Sequence, residues 1–133
     1  MLSRETIYSM AEQLPGTGTD SPFEDNFDAV VLRHMASGKW FGLVFKAPCR
    51  KIGLDRDGET DILNLKCDPV FSYGLIQSYD AIIPAYHMNK HHWISIILEK
   101  DLPADMVEML IGMSYDLTKP KKRSKSKSIP ENA

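Results

Sequence analysis

The sequence lacks the features that mark membrane and secreted proteins. No apolar run exceeds about seven residues, whereas a membrane-spanning helix needs about 20. The first residues, MLSRETIYSM, contain no basic segment followed by a long apolar one, so no secretory signal is visible. Only two cysteines occur, Cys49 and Cys67. We therefore expect no membrane partner, a cytoplasmic location, and two reduced thiols rather than a disulfide.

The sequence also lacks a large net charge, at −2, but its charge is unevenly distributed. Lys119–Ala133 carries six basic residues and one acidic residue, whereas Met1–Thr118 carries 10 basic and 17 acidic residues, a net charge of −7. An acidic body is not typical of a domain that grips DNA over a broad face. The basic tail has no apolar periodicity and is predicted to be disordered, either as a solvated extension or as a non-specific attachment to nucleic acid.

The rest of the chain, residues 1–118, is predicted to be one folded domain. Hydrophobic residues make up 43% of the 133 residues, which excludes a disordered chain over most of the length. The pattern predicts an α+β single domain with a mostly antiparallel sheet packed by helices, in the order α-β-β-β-α-β-β-α. The first predicted elements are helix Arg4–Leu14 and strands Phe27–Met35, Trp40–Lys46 and Asp61–Lys66. A second helix is predicted to begin at Asp68-Pro69, with Phe71, Leu75, Ile76 and Tyr79 on its buried face. Strands Ile82–Tyr86 and His92–Leu98 follow, and then a closing helix marked by Met106 to Leu117.

Two segments between these elements have no strand or helix pattern. Thr17–Asn26 is polar and is predicted to be a loop. Ala47–Thr60 contains Pro48, Gly53 and the turn signal DRDG at positions 55–58. These residues predict a long excursion from the sheet, in the form of a projecting hairpin or wing.

The stretch Pro84–Trp93, PAYHMNKHHW, concentrates polar side chains that carry chemistry. It holds three of the four histidines, and the apolar run Ile94–Leu98 follows it directly. Such a run is typical of a strand buried on at least one face. A dense polar cluster at the end of a buried strand indicates either a binding site or a tightly packed structural corner.

Two motifs resemble the paired signatures of the MmcQ/YjbR-like proteins. They are Asn64–Pro69, NLKCDP, and Tyr86–Lys90, YHMNK, with His92-Trp93 one position later. The resemblance extends from about Ser3 to Thr118. It implies a fold similar to that of CyaY and frataxin, and DNA binding by analogy of fold. The chain departs from the family pattern in Ala85, where a glycine is common, and in its long segment 47–60.

A metal site in the histidine cluster is not predicted. Zinc needs three or four ligands that converge on one point. His87 and His91 would converge only on a helix, and Pro84 argues against a helix there. His91 and His92 would point to opposite faces of an extended strand. No metal and no cofactor are therefore expected.

Catalysis is the least favoured alternative. His87 with Lys90 would supply a base and an anion clamp. The sequence shows no nucleophile beside its base, no phosphate loop and no carboxylate pair. An enzyme that uses His87 stays open at this point, but no catalytic residue is predicted.

Binding is the favoured interpretation. The motif lysines would contact an anion, and Asn89, His87 and Trp93 would add hydrogen bonds and stacking. We predict a small cytoplasmic binding module for nucleic acid, with DNA as the expected partner. The alternative is a regulator that binds a protein partner or a small anion through the same surface. Trp93 is assigned mainly to the core. The predicted ligand-binding residues are Lys66, His87, Asn89, Lys90, Arg50 and Lys51.

Overall fold

The computed structural model describes residues 2–23 and 28–120. Within them the chain forms three α-helices, six strands and one short 3₁₀ helix. In chain order the elements are α1 (Arg4–Glu12), β1 (Thr17–Asp20), β2 (Val30–His34), β3 (Trp40–Pro48), the 3₁₀ helix (Cys49–Ile52), β4 (Glu59–Lys66), α2 (Pro69–Ser78), β5 (Ile82–Pro84), β6 (Trp93–Ile97) and α3 (Ala104–Thr118).

The strands form one antiparallel sheet in the order β1-β2-β3-β4-β6-β5. The predicted α+β class, with a single domain and a mostly antiparallel sheet, is therefore confirmed. The predicted likeness to CyaY and frataxin stays a prediction. The same holds for the disorder of the tail, because residues 121–133 lie outside the described part of the chain.

Polar caps begin two of the helices at the positions that the sequence indicates. The Ser3 hydroxyl accepts a hydrogen bond from the backbone N–H of Thr6 at the start of α1. The Asp68 carboxylate accepts one from the N–H of Val70, with Pro69 at the first position of α2. Each cap satisfies an N–H that has no partner within its helix.

The three helices pack on one face of the sheet. Their buried side chains join those of the strands in one large cluster, which includes Ile7 of α1, Leu75 of α2 and Leu110 of α3. A second cluster lies on the opposite face, and it includes Phe45, Ile62 and Ile97 but no residue of α1, α2 or α3. We call this second face, which carries Phe45, Ile62, Asn64, Ser95 and Ile97, the open face because no α-helix packs on it. These five residues are nevertheless buried, since Ile52, Leu54 and Tyr86 pack in the same cluster.

The prediction of a loop over Thr17–Asn26 is wrong for its first residues. Thr17–Asp20 forms the edge strand β1, which pairs with β2. The strand lacks apolar alternation because it lies at the edge of the sheet, where polar side chains are common. The strand predicted over Phe27–Met35 is present as Val30–His34, and Phe27 lies outside the described residues.

The segment Ala47–Thr60 connects the hairpin of β3 and β4, as one of the two predicted forms requires, because Ala47 pairs with Thr60 and Pro48 with Glu59. It packs back on the molecule and does not project as a wing. Ile52 is buried in the cluster on the open face. The Arg56 guanidinium forms two hydrogen bonds with the Glu99 carboxylate, at 2.6 and 2.5 Å. Together with the Thr60 hydroxyl, this guanidinium lowers the pKa of Glu99 to about 2. These contacts hold the middle and the C-terminal part of the segment against the sheet.

Two of the four residues that were predicted to form the buried face of α2 are exposed. Leu75 is buried and Ile76 is half-buried, but Phe71 is 41% exposed and Tyr79 is 38% exposed. The helix is apolar on more than one side, so periodicity alone does not identify the side that meets the sheet. In α3, Leu117 is likewise exposed.

Candidate functional site

The Pro84–Trp93 stretch is fixed to the sheet by two buried polar side chains. Asn64 of β4 and Ser95 of β6 are opposite each other in the ladder and fully buried. The Asn64 amide donates to the carbonyl oxygen of Tyr86 at 2.9 Å, and the Ser95 hydroxyl accepts from the Tyr86 N–H at 2.9 Å. The Ser95 hydroxyl in turn donates to the Asn64 side-chain oxygen at 2.5 Å. Both backbone groups of Tyr86 are therefore held from the open face.

His87 follows this anchor in a left-handed conformation, with φ of 67°. Such a φ is uncommon for a residue with a side chain and persists where its surroundings enforce it. The imidazole is exposed and lies 3.9 Å from the Tyr86 ring and 6.3 Å from the Phe45 ring, centroid to centroid. His87 thus ends an aromatic stack at the solvent edge of the open face.

Asn89 shapes the turn that follows. Its side-chain oxygen accepts hydrogen bonds from the N–H groups of His91 and His92, at 2.8 and 3.2 Å. Its backbone carbonyl accepts from the N–H of Trp93 at 2.9 Å. This pattern is that of an Asx turn, in which the side chain replaces backbone partners. The side-chain oxygen of Asn89 is therefore engaged within the loop.

Lys90 is exposed, and its ammonium donates to the carbonyl oxygen of Ala85 at 2.6 Å. It borders a groove between the loop and α2, where it lies near Tyr73, Pro84 and His91. The Lys90 side chain thus closes the loop while its charge stays at the surface.

Arg50 and Lys51 lie far from the other predicted residues. They follow Pro48, which pairs with Glu59 at the start of β4, whereas Lys66 ends that strand. The eight residues of β4 make this separation about 20 Å or more. Arg50 also forms ion pairs with two carboxylates of its own segment, Asp55 and Asp57. The six predicted residues therefore do not meet in one site.

Lys66 lies on the open face opposite Trp93, its partner in the β4–β6 ladder. Both side chains are half-buried. Within the described residues, the Lys66 ammonium forms no ion pair and no hydrogen bond, and Trp93 belongs to neither core cluster. The prediction that Trp93 is core is therefore wrong, because the apolar run behind it is buried and the tryptophan itself lies at the end of the strand.

A second cation–tryptophan pair lies at the same end of the sheet. Arg33 of β2 is opposite Trp40 of β3. The Arg33 guanidinium binds the Asp20 carboxylate through two hydrogen bonds, at 2.7 and 3.1 Å. The Trp40 ring meets the Phe23 ring edge-on, with centroids 5.7 Å apart. Sequence reasoning missed this pair, although a tryptophan begins each of the strands β3 and β6.

The two pairs share the open face of the sheet. Cross-strand partners share a face, and Phe23, which touches Trp40, packs against the cluster of the open face. The pairs are not continuous, because the β3–β4 ladder ends at Gly42 and Leu65 and the Ser114 hydroxyl bridges the two strands beyond that point.

Two kinds of feature are absent from the described residues. No helix there is long and apolar enough to cross a membrane. No group of three or more histidine, cysteine or acidic side chains within the same residues is arranged to hold a metal ion. Both cysteines are free and buried.

Comparisons with known proteins agree on one family. The family model YjbR matches residues 12–117. The protein YyaQ of Bacillus subtilis (strain 168) is 44% identical over 119 residues, which cover 90% of this chain and 100% of YyaQ. A crystal structure of a protein from Pseudomonas syringae has a TM-score of 0.82 and 36% identity, over 89% of this chain and 100% of that one. The structure of Deinococcus radiodurans DR2400 has a TM-score of 0.69 and 26% identity, over 88% of this chain and 78% of that one. The chain belongs to the YjbR family.

Proposed function

We propose that this chain is a small binding module for nucleic acid and that the ligand lies on the open face. The observation that carries the proposal is the setting of Lys66. Lys66 is the ladder partner of Trp93 on the face that α1, α2 and α3 do not cover, and no carboxylate of the described residues pairs with its ammonium. A half-buried cation with no partner among the described residues favours an external anion, and a phosphate is the anion that nucleic acid offers.

The other candidate residues have different roles in the proposed binding. His87 is exposed and contacts the ligand beside Lys66, and Asn89 acts by holding the loop in shape. Lys90 borders the groove between the loop and α2, so its charge lies away from the open face. Arg50 contributes little, because its charge is balanced by Asp55 and Asp57. A catalytic role for His87 gains no support from the ring contacts of its imidazole with Tyr86 and Phe45.

Salt dependence in the full-length chain tests the proposal. The affinity for a fluorescent DNA oligonucleotide is measured by anisotropy at several salt concentrations. If Lys66 contacts a phosphate, Lys66→Gln weakens binding and lowers the salt slope by about one unit. Lys100→Gln, which removes the same charge outside the open face, is the matched control. Equal effects of the two substitutions would contradict the proposal.

A second candidate function, the binding of a protein partner, is favoured by a separate observation on α2. Val70 is 87% exposed and Tyr73 is 70% exposed. Apolar residues exposed side by side mark interaction surfaces. A complex formed there would depend weakly on salt and would be lost in Tyr73→Asp, whereas Lys66→Gln would leave it intact.

A further inference from the structure

We propose that the exposed side of α2 binds a second copy of this chain, in a two-fold symmetric dimer whose two α2 helices lie side by side and parallel. We call this surface, which carries Val70, Phe71, Tyr73 and Gly74, the α2 face. The proposal rests on the second candidate function and deepens it, because it names the protein partner. It does not depend on nucleic-acid binding.

The α2 face is apolar and uncharged although it is exposed. The helix, PVFSYGLIQS, contains no charged residue, whereas 26% of the whole chain is charged. Val70, Phe71 and Tyr73 are all exposed on it. The solvated side of a helix is normally polar or charged, and the centre of a protein interface is poor in charge and rich in aromatic residues. The composition of α2 is therefore that of an interface.

Gly74, in the middle of the helix, has no packing reason within the chain. Its backbone is ordinary α-helix, and a Cβ added there would meet no atom within 4 Å. Glycine is, after proline, the least favourable residue in a helix interior. A residue without a side chain lets a second backbone approach closely. Gly74 lies one turn after Val70, on the exposed side, so it indicates a close neighbour outside the chain.

Grooves run along both sides of the α2 face. One lies between α2 and the Pro84–Trp93 stretch, and Tyr73 borders it. The other lies between α2 and α3, and Phe71 borders it. Since successive residues of a helix are about 100° apart, Tyr73 and Phe71 lie on opposite sides of the line through Val70 and Gly74.

The two grooves carry opposite charges. Lys90 borders the first groove, and Asp105, in the first turn of α3, borders the second. Among the described residues, neither the Lys90 ammonium nor the Asp105 carboxylate has an ion-pair partner. The apolar face thus has a cation on one side and an anion on the other.

This arrangement is complementary to itself. In a two-fold dimer one patch serves both subunits, and every contact is repeated with the roles exchanged. If the two-fold axis is parallel to the helices, Lys90 of each copy faces Asp105 of the partner subunit. An antiparallel pair would instead place the two Lys90 side chains opposite each other, which like charges disfavour. Charge complementarity therefore favours a second copy of the chain as the partner, with parallel helices.

The dimer is expected to be weak, because the contact is small. The ten residues of α2 make a helix about 15 Å long. Stable complexes bury about 800 Å² on each partner, which is more than one such helix offers. We therefore expect a dissociation constant on the order of 10–100 µM.

Sedimentation velocity of the full-length chain at about 5 to about 500 µM tests the proposal. The average mass should rise from that of a monomer towards that of a dimer over this range, and Tyr73→Asp should keep the chain monomeric. Gly74→Leu should weaken the dimer at least about tenfold, because the new side chain separates the helices. Nothing lies within 4 Å of its Cβ, so this variant should fold normally, which circular dichroism checks.

Charge reversal identifies the neighbours across the contact. Lys90→Glu and Asp105→Lys should each weaken the dimer by about 5- to 30-fold, because the two-fold axis repeats every unfavourable pair. An equimolar mixture of these two variants should dimerise again, since a mixed dimer contains only pairs of opposite charge. Lys39→Glu, at an exposed position between β2 and β3, is the matched control and should leave the dimer unchanged.

The outcomes also separate this proposal from the proposed function. A chain that stays monomeric at about 500 µM overturns the dimer, and so does a mixture of the two charge variants that stays monomeric. Lys66→Gln should dimerise like the unmodified chain. If no dimer forms while Lys66→Gln still weakens DNA binding, the dimer is wrong and the proposed function stands. If the dimer forms as predicted and no DNA binds, the reverse holds.

Discussion

The side chain of Asn64 and the backbone of Tyr86 connect the two family motifs directly, through a hydrogen bond of 2.9 Å. Ser95 completes the link by binding the other backbone group of Tyr86 and the Asn64 oxygen. Because Asn64 and Ser95 are fully buried, losing one of the two side chains leaves polar groups of the other unsatisfied. The arrangement thus fixes the loop that carries His87 relative to the strand that carries Lys66.

Asn64→Ala is expected to lower the free energy of unfolding by about 1–3 kcal/mol, since the Tyr86 carbonyl would be buried without a partner. Ser95→Ala should behave similarly. In the double variant the two losses should not add, with a coupling of about 0.5–3 kcal/mol, because the residues share one network. Urea denaturation of the four proteins measures this. Additive losses would show that the two side chains act independently.

Asn89→Ala should destabilise the domain by about 1 kcal/mol, because it removes the side-chain acceptor of two loop N–H groups. Asn89→Asp keeps the acceptor and should restore most of that stability. Thermal unfolding of the two variants checks the prediction. An Asn89→Ala chain with unchanged stability but weaker ligand binding would instead make Asn89 a direct contact.

Trp93→Ala should cost about 1–2 kcal/mol, less than the 3–5 kcal/mol typical of a fully buried large aromatic residue, because Trp93 is half-buried. Phe41→Ala is the comparison, since Phe41 is fully buried and contacts Tyr115 and His34; it should show the full cost. Denaturant midpoints of both variants give the two values. If Trp93→Ala lowers the free energy of unfolding more than Phe41→Ala does, Trp93 is a core residue after all.

His34 should make stability fall as the pH drops below about 6.5. Burial lowers the pKa of His34, and the charges of Lys39 and Lys119 lower it further. Because the folded pKa lies below the unfolded one, the unfolded chain binds more protons, and the stabilisation present above pH 6.5 is lost as the pH falls.

Denaturation at about pH 7.5 and about pH 5.5 measures how strongly the free energy of unfolding depends on pH. His34→Gln should weaken this pH dependence, whereas His92→Gln, at an exposed position, should not. If the pH dependence is unchanged in the His34→Gln variant, groups other than His34 cause it.

The sequence predicted the fold wherever apolar periodicity was strong. Ile94–Leu98 and the helix starts at Ser3 and Asp68 were located within one or two residues. Edge strand β1 was missed because its four residues have no apolar alternation. The exposed side of α2 was missed because the helix is apolar on more than one side.

The candidate site could be predicted only in part. Lys66 and the loop around His87 were identified by motif, because their residues are adjacent in sequence. The pairing of Arg33 with Trp40 depends on the register between β2 and β3, which includes an irregularity at Leu32 and Arg33. Pairing register is a property of the folded sheet, so no local pattern indicates that the two tryptophans share a face.

The most direct test of the central claim is an NMR titration of the ¹⁵N-labelled full-length chain with a DNA oligonucleotide. We predict that the indole N–H signal of Trp93 and the amide of Lys66 shift together and saturate at one concentration. The amides of Val70 and Tyr73 on α2 should stay in place. Shifts confined to the tail, or centred on α2, would contradict binding on the open face.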